Sequence, residues 1–96
     1  PSIFVGDLNA SNTAESITRI TSYWKDSYTQ LSSSNRSGIS NTYNAFSYTS
    51  GKSRIDYVLF RGNATPVDYC CNNKLYDEKY PSDHFPVYVD FKILTL

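Results

Sequence analysis

"SRIDYVLF", residues 53–60, decides the fold. Ile55, Tyr57 and Leu59 alternate with Val58 and Phe60, and β-branched and aromatic residues in a period of two favour a strand. Both faces are apolar, so the segment predicts a strand covered on both sides, as in a layered α/β fold. Asp56 sits inside it. A carboxylate in such a strand is costly unless it is paired and hydrogen-bonded. Two partners are open: Arg54, two residues away, and His84, the single histidine of the chain.

Upstream, "SIFVGDLN" reads as a short apolar strand, and the run Ile3-Phe4-Val5 predicts an inner strand with cover on both faces. Asn12 and Glu15 form a capping-box-like pair. Ile17, Ile20 and Trp24 follow at helical spacing, which predicts a helix of about three turns over 13–25. The Ser- and Asn-rich stretch after it reads as a loop, either solvated or lining a site, with "NTYNAFSY" able to form a short strand. Downstream, "RGNATP" is a turn, "VDYCCNNKLY" a weaker strand and "YPSDH" a loop. In "FPVYVDFKIL", Phe85, Val87, Val89, Phe91 and Ile93 alternate with Tyr88, Asp90 and Lys92, a strand with one face packed and one wet.

The chain has 96 residues, enough for one domain with a modest core. Its net charge is zero, so no basic stripe advertises general nucleic-acid binding. No apolar run reaches the length of a membrane span. The adjacent Cys70 and Cys71 are too few for a disulfide scaffold or a zinc site and read as small packed strand residues. Because residues 3–5 already look like a buried strand, the sequence is read as part of a longer domain.

Three places carry chemistry. Asp56 is the first, with the two partners above. If it faces His84, it fixes the tautomer and stabilises the protonated ring. Asp7 and Asn9 in "GDLN" are the second. They stand at the carboxyl end of a strand, where ligands of layered sheets bind. The carboxylate can take a proton from water or hold a hard cation, and the amide can donate to a phosphate oxygen. The ordinary alternative is a polar turn. Asp83-His84 is the third, between Pro81 and Pro86. Oxygen ligands beside one imidazole favour Mg²⁺ or Mn²⁺ over structural zinc.

In this order and at these separations, "GDLN" at 6–9, "SRIDYVLF" at 53–60 and "SDHFP" at 82–86 resemble the endonuclease/exonuclease/phosphatase family, whose members include DNase I-like nucleases. The resemblance spans nearly the whole chain and implies the C-terminal half of a two-layer β-sandwich flanked by helices, with mainly antiparallel or mixed sheets. It also implies hydrolysis of a phosphoester with Mg²⁺ or Mn²⁺. The substrate class spans nucleic acid, inositol phosphate and phospholipid headgroups. Asp7 would activate water and hold metal. Asn9 would bind metal and orient the phosphate. Asp56 would hold His84, His84 would contact the phosphate, and Asp83 would hold metal or a metal-bound water. The family's front half supplies further groups, including a metal-binding Glu, that cannot be assigned here. The chain is therefore expected to need a missing N-terminal half as its partner. A half-domain that pairs with itself as a non-catalytic module is the alternative.

Overall fold

The computed structural model describes residues 1–46 and 53–94. The expected central strand forms as β4, Asp56–Arg61, and Tyr57, Val58, Leu59 and Phe60 are all buried. It lies between β1, Ser2–Asp7, and β2, Lys25–Asp26, both antiparallel to it. The alternation of β4 serves two cores. Tyr57 and Leu59 pack with Ile17, Phe4 and Leu8 on the helical side. Phe60, on the opposite face, meets Phe91 of the second sheet edge-on, with ring centroids 5.5 Å apart.

β1 is an edge strand, not the inner strand expected from its apolar run. Phe4 is packed, but Ile3 is 44% and Val5 67% exposed. They share a face with Val58 and Phe60 in the register Ile3↔Phe60 and Val5↔Val58. That face is therefore closed over β4 and open over β1.

The helix is shorter than predicted. α1 spans Glu15–Ile20, its N-cap is Ala14, and no side chain caps it. After Ile20 the chain tightens into a turn: the Ser22 and Tyr23 N–H groups donate to the Arg19 and Ile20 carbonyls, three residues back, at 3.2 and 3.1 Å. The Thr21 and Ser22 hydroxyls also donate to the Ile17 and Arg19 carbonyls there. A single turn, α2, Ser27–Gln30, follows β2 and is capped by Asp26, whose side chain accepts from the Tyr28 N–H.

The stretch expected to be loop contains a strand, β3, Arg36–Gly38, parallel to β5, Ala64–Cys71. Gly38 permits that pairing. Its φ is +81°, and an added Cβ would lie 1.8 Å from the Cys71 carbonyl oxygen. β5 starts inside the expected turn, because Gly62, at φ +78°, reverses the chain sharply. β6, Val87–Ile93, completes the second sheet in the order β3-β5-β6, antiparallel to β5 with a bulge between Pro66 and Asp68. Leu31, Tyr69, Cys71 and Phe85 form its core. Both cysteines are free, and burial pushes the Cys71 thiol up to about 12. No helix among the described residues is long and apolar enough to cross a membrane.

Candidate active site

Register brings the first two carboxylates together. Asp7, the last residue of β1, stands opposite Asp56, the first of β4. The Leu8 N–H donates to the Ile55 carbonyl at 2.9 Å, which makes Asp7 and Asp56 a non-hydrogen-bonded pair, the class with the closer side chains. Like charges directly opposite destabilise a sheet, and positive charge between them would offset that repulsion.

His84 supplies part of that charge. Its Nδ1 lies 2.7 Å from Asp56 Oδ2. Its Nε2 lies 3.7 Å from Asp7 Oδ2 and 3.9 Å from Asp83 Oδ1. An ionised Asp56 only accepts, so Nδ1 carries the proton and Nε2 faces the other two carboxylates. The hydrogen bond to Asp56 raises the His84 pKa above its usual 6.5, partial burial opposes this, and the charges of Asp56, Asp7 and Asp83 add to the rise. Arg54, the other candidate partner of Asp56, is engaged elsewhere. It forms a buried bidentate pair with Asp26 at 3.1 and 2.7 Å.

Asn9 does not continue the strand. It adopts φ +50°, and its backbone N–H donates to Asp7 Oδ1 at 2.8 Å. The turn fixes the Asp7 carboxylate and leaves Asn9 exposed beside it.

Among the described residues, Asp7, Asp56 and His84 have ligand atoms within 4.8 Å of one another. This group differs from the expected metal set of Asp7, Asn9 and Asp83. The donor chemistry fits a hard divalent cation, because three carboxylates around one imidazole keep an excess of negative charge even when the ring is protonated. Asp56 is already committed to Nδ1, so Asp7 and Asp83, both nearly half exposed, form the open side.

A polar clip that sequence reasoning did not assign to the site holds it together. Thr42 and Asn44 are fully buried. Thr42 Oγ1 accepts from the N–H groups of Ile55 at 2.9 Å and Asp56 at 3.1 Å. The Thr42 carbonyl accepts from Phe85 N–H at 2.7 Å. Asn44 donates through its side chain to the Ser82 carbonyl and through its N–H to the Asp83 carbonyl, at 2.9 and 2.7 Å. Tyr43, between them, bridges to His84 and packs edge-on against the imidazole, with centroids 5.3 Å apart. Residues 42–44 thus tie the start of β4 to the Asp83-His84 turn. The sequence signal was "NTYNAFSY", residues 41–48, read there as a possible short strand. The structure has an isolated bridge at Tyr43, and residues 47 and 48 lie outside the described residues.

The sequence model of the Endonuclease/Exonuclease/phosphatase family matches residues 1–84. The chain belongs to the endonuclease/exonuclease/phosphatase family. Solved structures of that fold superpose closely. A functionally unknown conserved protein from Enterococcus faecalis V583 gives a TM-score of 0.84 at 23% identity, over 96% of this chain and 36% of that one. A mannosyl-6-phosphatase from Bacteroides thetaiotaomicron VPI-5482 gives 0.80 at 28% identity, over 95% and 37%. An endonuclease/exonuclease/phosphatase family protein from Bacteroides thetaiotaomicron gives 0.81 at 29% identity, over 93% and 35%. No curated protein matches. The chain therefore has the family's fold and spans little more than a third of the length of these structures.

Proposed function

We propose that Asp7, Asn9, Asp56, Asp83 and His84 are this chain's share of the active site of a metal-dependent phosphoesterase. The observation that carries the reading is the array Asp56–His84–Asp7/Asp83: one imidazole, its tautomer set from behind, facing an open pair of carboxylates. Asp7 takes the proton of the attacking water. His84, whose pKa Asp56 raises, contacts the phosphate and in its protonated form offsets the charge that grows on the phosphate oxygens. The water oxygen bonds to phosphorus, the bond to the ester oxygen breaks, and the departing alcohol takes a proton from solvent. Asn9 orients the phosphate from the turn next to Asp7. Asp7 and Asp83, with Asn9 alongside, would hold Mg²⁺ or Mn²⁺, which would supply neutralisation of the phosphate charge. The rest of a family domain, supplied by residues beyond these 96, completes the site.

Family membership and the likeness to a sugar phosphatase support hydrolysis of a phosphoester. The full-length gene product, assayed with Mg²⁺ on a panel of phosphomonoesters and phosphodiesters, should lose at least about 10²-fold in kcat/KM on Asp7→Ala or His84→Ala. Full activity in both variants overturns the assignment.

One observation favours a second reading, a non-catalytic module. Ile3 and Val5 present an open apolar strip on the edge strand, a surface suited to pairing with another copy. A monomer in sedimentation equilibrium refutes that reading.

A further inference from the structure

Asn9 lies outside the strand that carries Asp7, exposed and at φ +50°. Asparagine visits this left-handed region more readily than most residues, yet such a conformation persists only where its surroundings enforce it. The residues on either side of Asn9 supply that enforcement. Leu8 and Ala10 both pack against the buried cluster of Ile17, Tyr57 and Leu59. The Leu8 N–H donates to the Ile55 carbonyl at 2.9 Å. The Ala10 carbonyl accepts from the Tyr57 hydroxyl at 2.8 Å. Asn9 is thus held from residues 55 and 57, the two neighbours of Asp56, which itself orients His84.

Packing does not account for that hydroxyl. Tyr57 is 1% exposed, and a phenylalanine ring would fill the same core without taking a polar group out of water. The hydroxyl has one proton and two carbonyls in reach, Ala10 at 2.8 Å and Arg54 at 3.0 Å, so it ties the turn after Asp7 to the segment entering β4. The Arg54 guanidinium, itself fixed on Asp26, lies over the Tyr57 ring at 4.7 Å from its centre and holds the ring in place. Burial, opposed by the Arg54 charge, lifts the hydroxyl above its usual pKa of 10. The group therefore stays protonated and keeps donating.

We propose that Tyr57 is a positioning residue of the active site, whose hydroxyl sets the place of Asn9 and thereby the orientation of the bound phosphate. The proposal rests on the phosphoesterase reading above. Asp7 is anchored by the pairing of β1 with β4, and the Asp83 backbone by the N–H groups of Asn44 and Ala45. Asn9, beyond the end of β1, depends on the bonds of its neighbours. Loss of the Tyr57 hydroxyl therefore acts on the site through Asn9. A misplacement of about 1 Å in a positioning group can cost about 10²-fold in rate, so the loss falls on kcat more than on KM.

The test uses the full-length gene product with Mg²⁺ and the panel of phosphomonoesters and phosphodiesters above. Tyr57→Phe should lower kcat about tenfold or more. In an Asn9→Gly background, which lacks the amide but sits easily at positive φ, the same change should cost less than about twofold. Tyr57→para-aminophenylalanine, which offers an N–H donor in place of the O–H, should restore most of kcat. Equal losses in the two backgrounds overturn the proposal, because a merely structural effect adds independently of Asn9. Two NMR measurements need no turnover. The order parameter of the Asn9 amide should fall from about 0.85 to below about 0.6 in Tyr57→Phe while that of Phe85 holds, and an unchanged Asn9 value overturns the proposal. In the parent protein the Tyr57 hydroxyl proton should resist exchange and show a nuclear Overhauser contact to the Ala10–Ser11 segment. Its absence overturns the proposal even if Tyr57→Phe does not fold. If the parent hydrolyses no member of the panel, the hydrolase reading fails and the NMR measurements alone decide whether Tyr57 holds the turn.

Discussion

Thr42→Val removes one oxygen and keeps the side-chain shape. That oxygen is buried and accepts from two backbone N–H groups, of Ile55 and Asp56. The register shows that the Asp56 N–H has no partner on β1. Asp7 and Asp56 are a non-hydrogen-bonded pair, so this N–H points away from that strand. A buried donor left without a partner costs about 1–3 kcal/mol. Two donors sharing one acceptor put the expected loss at roughly 2–4 kcal/mol, a large part of a domain's typical stability. Valine fills the same space, so little of the loss is a cavity effect. Thr42→Ser keeps the oxygen and loses only a methyl group, about 1 kcal/mol. Equilibrium urea denaturation of the full-length protein measures both variants. A Thr42→Val protein within about 0.5 kcal/mol of the parent, or a Ser variant as damaged as the Val variant, would refute the assignment of the hydroxyl as the clip.

Asp56→Asn should lower the His84 pKa, because its carboxylate is the main cause of the rise; NMR titration of the ring protons measures this. Linkage fixes the sign of the stability effect. A histidine raised above 6.5 on folding contributes stability in full below pH 6.5, and that contribution fades as pH rises through the folded value. The Asn variant should flatten this fall, and an unchanged pH profile would count against the pair. Gly38→Ala must either move β3 off β5 or fail to fold, since its Cβ would overlap the Cys71 carbonyl. A loss below about 1 kcal/mol in denaturation would contradict the parallel pairing. Asp77→Gly relieves one left-handed residue of the 77–78 reversal and should raise stability by about 0.5–1 kcal/mol; a lower melting temperature would argue against that turn.

The sequence by itself determined the existence of β1, β4, β5 and β6 and much of the core. β4 and β6 were legible because alternation records burial directly, as Tyr57 and Leu59 against Val58 and Phe60 show. The family was legible because three short motifs occur in order. The length of α1 was not, because its end tightens into a turn with bonds three residues back, which leaves the apolar spacing of Ile17, Ile20 and Trp24 unchanged. The edge position of β1 was not, because an apolar run reads the same wherever the second layer ends. Nor was β3, whose three polar residues have no pattern and pair only because Gly38 admits the Cys71 carbonyl.

Only the tertiary structure decided between the two partners open to Asp56. The family resemblance implied His84, and Arg54, two residues away, was the alternative. The fold gives Arg54 to Asp26 and brings His84 in from the other end of the chain. Thr42 and Asn44 became visible for the same reason. Their bonds run to backbone groups of distant segments, and a hydrogen bond to a main-chain atom leaves no mark on the identity of the residue that offers it.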